Sequence, residues 1–210
     1  MSKILVVFDV DSTLIEDEVI ELLADVAGKR AEVAEVTERA MRGELDFAES
    51  LRERVKALAG LPESVFEDVF KRITPTAGVV ELIGAVHAAG GLVGAVSGGF
   101  TQVLTPLAAQ LNLDFARAND LEVVDGKLTG KVTGRIVDRA VKAESLIEWA
   151  TASGVDIAST VAVGDGANDL DMLATAGLGV AFNAKPIVRE KAQIVIEKQD
   201  LLELADLLGI

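Results

Sequence analysis

The sequence predicts an α/β protein with a doubly wound parallel sheet, an inserted helical cap and a small β-hairpin. Short apolar runs rich in β-branched residues recur along the chain, which is typical of strands buried on both faces of a parallel sheet. Amphipathic helical patterns alternate with these runs, and such alternation indicates βαβ units with helices on both faces. One connection, over residues 15–75, is much longer than the others and contains only helical patterns.

The elements follow in a regular order along the chain. Strands are predicted at residues 4–8, 92–97, 160–164, 178–182 and 194–197. Helices are predicted at residues 79–89, 102–111, 139–151, 170–176 and 201–208. Asp125-Gly126 is a strong signal for a two-residue type I′ turn, because both central residues of that turn need a positive φ. We therefore expect a small antiparallel excursion over residues 121–136.

Residues 15–75 predict a helical cap that emerges over the end of the first strand. Connections in such folds are usually short, about 2–6 residues, and long insertions there are usually functional lids. The predicted domains are a catalytic core of residues 1–14 and 76–210 and an inserted cap of residues 15–75. Within the cap, helical patterns cover residues 19–27, 31–41, 47–58 and 63–70, and Gly28, Gly43, Gly60, Pro62 and Pro75 stand where helices end.

Composition narrows the classes of partner and of metal site. The 210 residues are 50% hydrophobic, enough for a sizeable core, and there is no cysteine and only one histidine. Any bound metal should therefore be a hard cation with oxygen ligands. A net charge of −14 argues against nucleic acid or an anionic membrane as the main partner. A phosphorylated small-molecule substrate can still bind if a local site collects cations and backbone N–H groups.

The location expected from the sequence is the cytoplasm. No apolar stretch reaches the roughly 18 uncharged residues of a membrane span. The start of the chain, Met1-Ser2-Lys3 before a short apolar run, is too short for a signal peptide.

Two carboxylates, Asp9 and Asp11, stand where the first apolar run ends. The end of such a strand delivers its residues to the crevice where open α/β sheets bind ligands. Two acids there raise each other's pKa unless a cation or a chemical task accounts for them. A helix N-cap explains one of them, but two acids favour a site for a hard metal and a nucleophile.

A second group of acids follows the strand at residues 160–164, in the run Gly164-Asp165-Gly166-Ala167-Asn168-Asp169. Capping of a helix explains either Asp165 or Asp169, but it does not readily explain the whole run. With the first pair, four carboxylates would face one crevice. Mg²⁺ suits such a site, because it prefers one or two carboxylates together with waters and phosphate oxygens.

A phosphate site is suggested by Ser97-Gly98-Gly99 at the end of the second strand. A hydroxyl and two glycines offer unobstructed N–H groups to a phosphate, although a tight turn that merely needs glycine is as good an explanation of this motif alone. Lys142 begins the helix before the strand at residues 160–164. It is either an ordinary surface lysine or a point charge that neutralises a phosphoryl group.

These segments together resemble the haloacid dehalogenase superfamily of phosphotransferases. The match consists of Asp9-x-Asp11-x-Thr13, Ser97, Lys142 and the run from Gly164 to Asp169, in this order and each at its structural place. The resemblance covers nearly the whole chain, and it is greatest to members that hydrolyse phosphoserine. It extends to the stretches FDVDSTLIEDE, GELDFAESLRERV, RITPTAG, VSGGFT, DGKLTG, VAVGDGANDLDML and AFNAKP. An additional N-terminal regulatory domain, present in some members, is not expected here.

The resemblance implies a covalent mechanism in a Rossmann-like core. Asp9 would be the nucleophile that forms an aspartyl-phosphate, and Asp11 would be the general acid and then the general base. Mg²⁺ would be held by Asp9, by the backbone carbonyl of Asp11 and by Asp165, with Asp169 in support. The phosphoryl oxygens would be bound by Ser97, the Gly98 N–H and Lys142, and Asn168 would also contact the substrate.

The resemblance also implies that the cap selects the substrate. Glu18 would pair with the substrate ammonium, Arg54 would bind its carboxylate as a bidentate fork, and Phe47 would close over the ligand. Each residue has a simpler explanation: Glu18 and Arg54 as solvated helix charges, and Phe47 as part of the hydrophobic core of the cap.

Two other functions fit parts of the same pattern. A related phosphotransferase would pass the phosphoryl group from Asp9 to another hydroxyl, such as that of homoserine, and not to water. A receiver-type signalling domain also places acids, a hydroxyl and a lysine around Mg²⁺, but it would lack both the long insertion and Asp11. The oligomeric state, monomer or homodimer, stays open.

Overall fold

The computed structural model describes residues 3–41 and 44–210. Met1, Ser2 and the predicted helix end at Gly43 lie outside the described residues. The strands form a seven-stranded sheet in the order β4-β3-β2-β1-β5-β6-β7, and every neighbouring pair is parallel except β3 and β4. The predicted α/β fold with a largely parallel sheet is therefore confirmed. The strands are β1 (Leu5–Phe8), β2 (Leu92–Phe100), β3 (Phe115–Val124), β4 (Lys127–Thr133), β5 (Thr160–Gly164), β6 (Leu178–Phe182) and β7 (Ile194–Ile196).

Helices lie where the amphipathic patterns predicted them, with one addition. The short helix α9 follows Lys185 and begins with proline, whose fixed φ suits the first turn of a helix. The helices are α1 (Val19–Val26), α2 (Arg30–Met41), α3 (Phe47–Lys56), α4 (Val65–Phe70), α5 (Val79–Ala88), α6 (Thr101–Leu111), α7 (Arg139–Ser153), α8 (Leu170–Thr175), α9 (Pro186–Arg189) and α10 (Leu202–Leu208). None of those described is long and apolar enough to cross a membrane.

The hairpin turn lies where it was predicted, but its first strand is longer and belongs to the main sheet. Asp125 and Gly126 both have positive φ, at 51° and 72°, and Val124 pairs with Lys127 across the turn. β3 begins six residues before the predicted excursion, at Phe115, and pairs in parallel with β2. The first part of β3 was not predicted, because the polar residues over 117–120 interrupt the apolar pattern that is typical of a buried strand.

The two faces of the sheet pack against different helices. Val6 and Phe8 of β1 belong to an apolar cluster that also contains Leu23 of α1 and Leu51 of α3. Leu5 and Val7, which alternate with them, pack in a second cluster with helices that include α7. The inserted helices thus share a continuous apolar cluster with one face of the sheet, and this packing holds them near the end of β1.

The two ends of the insertion are paired with each other. Ile15 and Pro75 form an isolated antiparallel bridge, and the N–H of Glu16 donates to the carbonyl of Thr74 at 2.9 Å. The hydroxyl of Thr76 donates to the carbonyl of Thr13 at 2.7 Å. The division into a core and a cap stays a prediction, but the chain leaves and re-enters the sheet region at one place.

Candidate active site

Asp9 directly follows β1 and is only 5% exposed. Its Oδ1 accepts a hydrogen bond from the Val10 N–H at 2.7 Å and lies 2.6 Å from Nζ of Lys142. Both contacts fall on Oδ1, and no contact of Oδ2 is recorded among the described residues. Asp9 is therefore a fixed carboxylate with one oxygen available to a ligand.

Lys142 is a fully buried cation, which excludes the alternative of a surface lysine. Its Nζ lies 2.6 Å from Oδ1 of Asp9 and 2.7 Å from Oδ1 of Asp169. Asp138 caps α7 by accepting a hydrogen bond from the Val141 N–H, and this cap fixes the first turn that carries the lysine. An ammonium has three donors, so one remains for a ligand.

Burial and the neighbouring charges shift the pKa of both Lys142 and Asp9. Burial alone would lower the pKa of Lys142, but Asp169 and Asp9 outweigh it, and the pKa is raised above its ordinary value. Burial, and then the charge of Asp169, raises the pKa of Asp9 well above its usual range in spite of Lys142. One ammonium is thus too little positive charge for the carboxylates around it.

Asp165 and Asp169 reach the same place from the loop after β5. One carboxylate oxygen from each of Asp9, Asp165 and Asp169 lies within 4.8 Å of the others. A Cβ on Gly164 would stand only 2.5 Å from the carboxyl carbon of Asp169, so glycine is required for this approach. Burial, and then Asp169, raises the pKa of Asp165 to about 6. Three hard oxygen ligands with an excess of negative charge fit a divalent cation of the Mg²⁺ type.

Asp11 lies on the irregular turn between β1 and the insertion. Its Oδ1 accepts a hydrogen bond from the N–H of Val19 at 3.1 Å, so Asp11 caps the start of α1 as well as facing the site. Burial, and then the charge of Glu18, raises the pKa of Asp11 to about 7. A carboxyl group with a pKa near neutral can both give and take a proton at physiological pH, as an acid–base residue must.

Gly98 and Gly99, near the end of β2, line the cavity, and Ser97 lies directly before them. The Ser97 hydroxyl is buried and accepts a hydrogen bond from the Gly99 N–H at 2.8 Å. A Cβ on Gly99 would stand 2.9 Å from Oδ2 of Asp11, and one on Gly98 would stand 2.9 Å from the ring of Phe47. A Cβ at either glycine would thus crowd a side chain that faces the cavity, which supports a binding loop over a simple turn.

Glu18, Arg54 and Phe47 come from the insertion and face the same cavity. The Ser12 hydroxyl donates to Glu18 at 2.7 Å, and this contact holds the exposed carboxylate over the site. Arg54 is half-buried, its Nε donates to the Ser50 carbonyl at 3.3 Å, and burial lowers its pKa. A half-buried arginine that faces a cavity differs from an ordinary solvated helix charge.

The cavity has a volume of about 1050 Å³ and brings the predicted residues together. Three more predicted residues lie just beneath its wall: Ser97 contacts Gly99, Lys142 contacts Asp9, and Asp169 contacts Gly166. The predicted residues in the wall itself are Asp9, Asp11, Glu18, Phe47, Arg54, Gly98, Asp165 and Asn168.

The sequence reasoning missed several residues of this region. Ser12 holds Glu18, Lys185 lines the cavity beside Asp165, and Asn119 binds the backbone behind Gly98. Ser12 and Lys185 lie in FDVDSTLIEDE and AFNAKP, two of the stretches that carry the resemblance, but neither residue was assigned a role there. Asn119 carried no usable signal either, because the polar residues around it interrupt the apolar pattern by which strand β3 would have been predicted.

Comparison with known proteins gives a consistent set of relatives. Residues 6–174 match the family model described as haloacid dehalogenase-like hydrolase. A phosphoserine phosphatase of Streptomyces coelicolor is 60% identical over 98% of this chain, which spans 50% of that relative. A phosphoserine phosphatase of Streptococcus thermophilus is 52% identical over 98% of this chain and 96% of its own length. The chain thus corresponds to about half of one relative and to nearly all of another.

A solved structure provides the same comparison in three dimensions. It is described as a phospho-aspartyl intermediate analogue of phosphoserine phosphatase and is 47% identical to this chain. The match covers 99% of each chain with a TM-score of 0.92. The similarity therefore includes the insertion as well as the sheet.

Proposed function

Because the chain belongs to the haloacid dehalogenase-like hydrolase family, we propose that it hydrolyses O-phospho-L-serine to L-serine and phosphate, as the last step of serine biosynthesis. The observation that carries this proposal is the buried Asp9–Lys142–Asp169 cluster at the floor of a cavity whose roof holds Glu18 and Arg54. The floor suits a phosphate ester, and the roof suits the two charges of an amino acid. A cytoplasmic location is part of the proposal.

In the first step Asp9 accepts the phosphoryl group. Its Oδ2 attacks phosphorus, an aspartyl-phosphate bond forms, and the bond between phosphorus and the serine oxygen breaks. Asp11, protonated at this stage, gives its proton to the leaving serine oxygen. Lys142, the Ser97 hydroxyl and the Gly98 N–H bind the phosphoryl oxygens, on which the charge of the transition state is spread.

In the second step water releases the phosphate. Asp11, now a carboxylate, takes a proton from a water molecule that attacks phosphorus, and the bond to Asp9 breaks. Asp11 ends the cycle protonated and Asp9 ends it as a carboxylate, so the site is restored. The pKa of Asp11, raised to about 7, supports this double role.

Asp9, Asp165, Asp169 and the backbone carbonyl of Asp11 would hold Mg²⁺ in this site. When bound, the ion supplies positive charge that offsets the repulsion between the Asp9 carboxylate and the incoming phosphate. The role of Asp169 is shared, because its Oδ1 already accepts from Lys142 and its Oδ2 accepts from the Gly166 N–H at 3.0 Å. Asp169 thus orients the other groups more than it binds the ion.

Removal of divalent metal should abolish activity reversibly. Three carboxylates share one ammonium, so without added positive charge the site repels a phosphate dianion. We expect no phosphate release in EDTA, full recovery with excess Mg²⁺, and a higher Mg²⁺ requirement in Asp165→Asn. Full activity of the wild-type protein in chelated buffer would remove the metal from this mechanism.

The cap residues should read the amino-acid end of the substrate. Glu18 offers a carboxylate to the ammonium, and Arg54 offers a planar fork to the carboxylate. The phosphoryl end is bound by the core, which contacts every phosphate ester alike. Discrimination between phosphoserine and other esters must therefore come from the roof of the cavity.

Arg54→Ala should lower kcat/KM for phosphoserine by about 10²-fold or more, since a substrate carboxylate enclosed without its partner is costly. The loss should be much smaller for p-nitrophenyl phosphate, which has no carboxylate.

Wild-type protein should release phosphate from phosphoserine much faster than from phosphothreonine or sugar phosphates, and added homoserine should not change the yield of free phosphate.

Arg52→Ala is the matched control, because Arg52 lies on the same helix but is exposed and does not line the cavity. This control should leave both substrates unaffected. Equal losses on both substrates in Arg54→Ala would mean that Arg54 supports the packing of the cap. A lower yield of free phosphate in the presence of homoserine would favour the phosphotransferase.

A further inference from the structure

β2 is irregular at the residues that form the wall of the phosphoryl site. Val96 pairs with Arg117 and Phe100 pairs with Asn119, so residues 97–99 lie opposite Ala118 alone. Such a bulge re-aims the backbone of the longer strand and interrupts its ladder of hydrogen bonds. The peptide groups of the bulge therefore need partners other than the backbone of β3.

The side chain of Asn119 supplies these partners. It is 1% exposed, and its Nδ2 donates to the carbonyl of Gly98 at 2.8 Å and to that of Gly99 at 3.3 Å. Its Oδ1 accepts from the N–H of Val137 at 2.7 Å. Val137 immediately precedes Asp138, the cap of the helix that carries Lys142. One carboxamide thus joins the bulge of β2 to the start of α7.

The contact at Gly98 reaches the Ser97 hydroxyl through a single peptide group. In a trans peptide the carbonyl of Gly98 and the N–H of Gly99 point in opposite directions. Asn119 holds that carbonyl on one side, and on the other side the N–H donates to Oγ of Ser97 at 2.8 Å. The hydroxyl accepts this bond, so its own hydrogen is left to be donated elsewhere, and the adjoining glycines line the cavity.

We propose that Asn119 is a positioning residue for phosphoryl transfer: it fixes the Gly98–Gly99 peptide and, through it, the Ser97 hydroxyl. This inference rests on the proposed function, in which Ser97 and Gly98 bind the phosphoryl oxygens. Asn119 itself does not line the cavity. Its effect is to set the direction in which the Ser97 hydroxyl offers its hydrogen and where the backbone of the bulge lies relative to Lys142.

Asn119→Asp tests this, because the carboxylate keeps the shape and the bond from Val137 but cannot donate to Gly98 or Gly99. A misplacement of about 1 Å in such a site costs roughly 10²-fold, so we expect kcat to fall by about 10–10²-fold on both phosphoserine and p-nitrophenyl phosphate. Inhibition by inorganic phosphate should weaken in parallel. The inhibition constant of L-serine should stay within about twofold of the wild-type value, because in the proposed function L-serine is bound by residues of the cap and not by the phosphoryl site.

Thr160→Val is the matched control for stability. Thr160 is also buried, bonds the backbone of Ile157 and Gly177, and lies at the opposite end of the sheet. This variant should lower Tm and leave the kinetic constants unchanged. If Asn119→Asp does not fold, Asn119→Ser, which keeps one donor, is measured in its place with a smaller expected loss.

A double-mutant cycle that combines Asn119→Asp with Ser97→Ala tests whether Asn119 acts through the Ser97 hydroxyl. If Asn119 acts through the hydroxyl, the loss caused by Asn119→Asp should shrink in the Ser97→Ala background. Equal losses in both backgrounds, or a fall in Tm with unchanged kcat, would overturn the inference. If wild-type protein cleaved p-nitrophenyl phosphate but not phosphoserine, the proposed function would fail, while Asn119 would still be tested on the first substrate.

Discussion

Asp9→Asn should abolish phosphate release from every phosphate ester. The amide that replaces the carboxylate is not a nucleophile at phosphorus, and the neighbouring Asp169 is held in place by Lys142 and by the Gly166 N–H. The variant should fold, because Lys142 keeps Asp169 as its partner and one of the mutually repelling carboxylates is gone. Phosphate release and the Tm of the purified variant are the measurements.

Asp114→Asn is the control for this substitution. Asp114 accepts hydrogen bonds from Val93 at 2.8 Å and pairs with His87, at the far end of the sheet from the site. The same change of atoms there should leave turnover at the wild-type level. Substantial turnover in Asp9→Asn would contradict the covalent mechanism and would leave direct attack by water as the alternative.

Asp11→Asn should lower kcat for phosphoserine by about 10²–10⁴-fold, the usual range for loss of a general acid–base group. The serine alkoxide is a poor leaving group without a proton, and the water of the second step loses its base. The asparagine oxygen can still accept from the Val19 N–H, so the start of α1 should stay capped. Steady-state phosphate release gives the magnitude.

The choice of leaving group separates the two tasks of Asp11. p-Nitrophenolate leaves without protonation, so the first step on p-nitrophenyl phosphate should survive Asp11→Asn while the second remains slow. The aspartyl-phosphate on Asp9 should then accumulate, and intact-protein mass spectrometry of the acid-quenched reaction should detect it. Equal losses on both substrates with no accumulated phosphoenzyme would show that Asp11 acts on the fold or on the metal site and not as a proton carrier.

The parts of the site that the sequence predicted share one property: their signals are local. Asp9 and Asp165 each follow an apolar run, and parallel strands deliver their carboxyl ends to the same edge of a sheet. Their convergence therefore follows from the fold class. The cap residues Glu18 and Arg54 were assigned only by resemblance, because an amphipathic helix with charges looks the same whether it faces solvent or a cavity.

Asn119 could not be assigned from its own strand. Its environment depends on a bulge in β2, and the sequence of β2 shows only two glycines at that point. The burial of Lys142 is a similar case, since the helix that carries it looks like any other amphipathic helix. In both cases the decisive contact joins segments that are far apart along the chain, 21 residues for Asn119 and Gly98 and 27 for Lys142 and Asp169.

The bridge between Ile15 and Pro75 has a consequence for how such a protein can diversify. The two ends of the insertion are paired with each other, so the insertion is a closed loop attached to the sheet at one place. This attachment does not depend on the number of residues in the loop. The entropy of closing a loop grows slowly, by about 0.6 kcal/mol for each doubling of length. Evolution can therefore lengthen, shorten or exchange the insertion, to which we assign recognition of the alcohol, while the sheet and its cluster of acids stay intact. One catalytic scaffold can in this way serve many different esters.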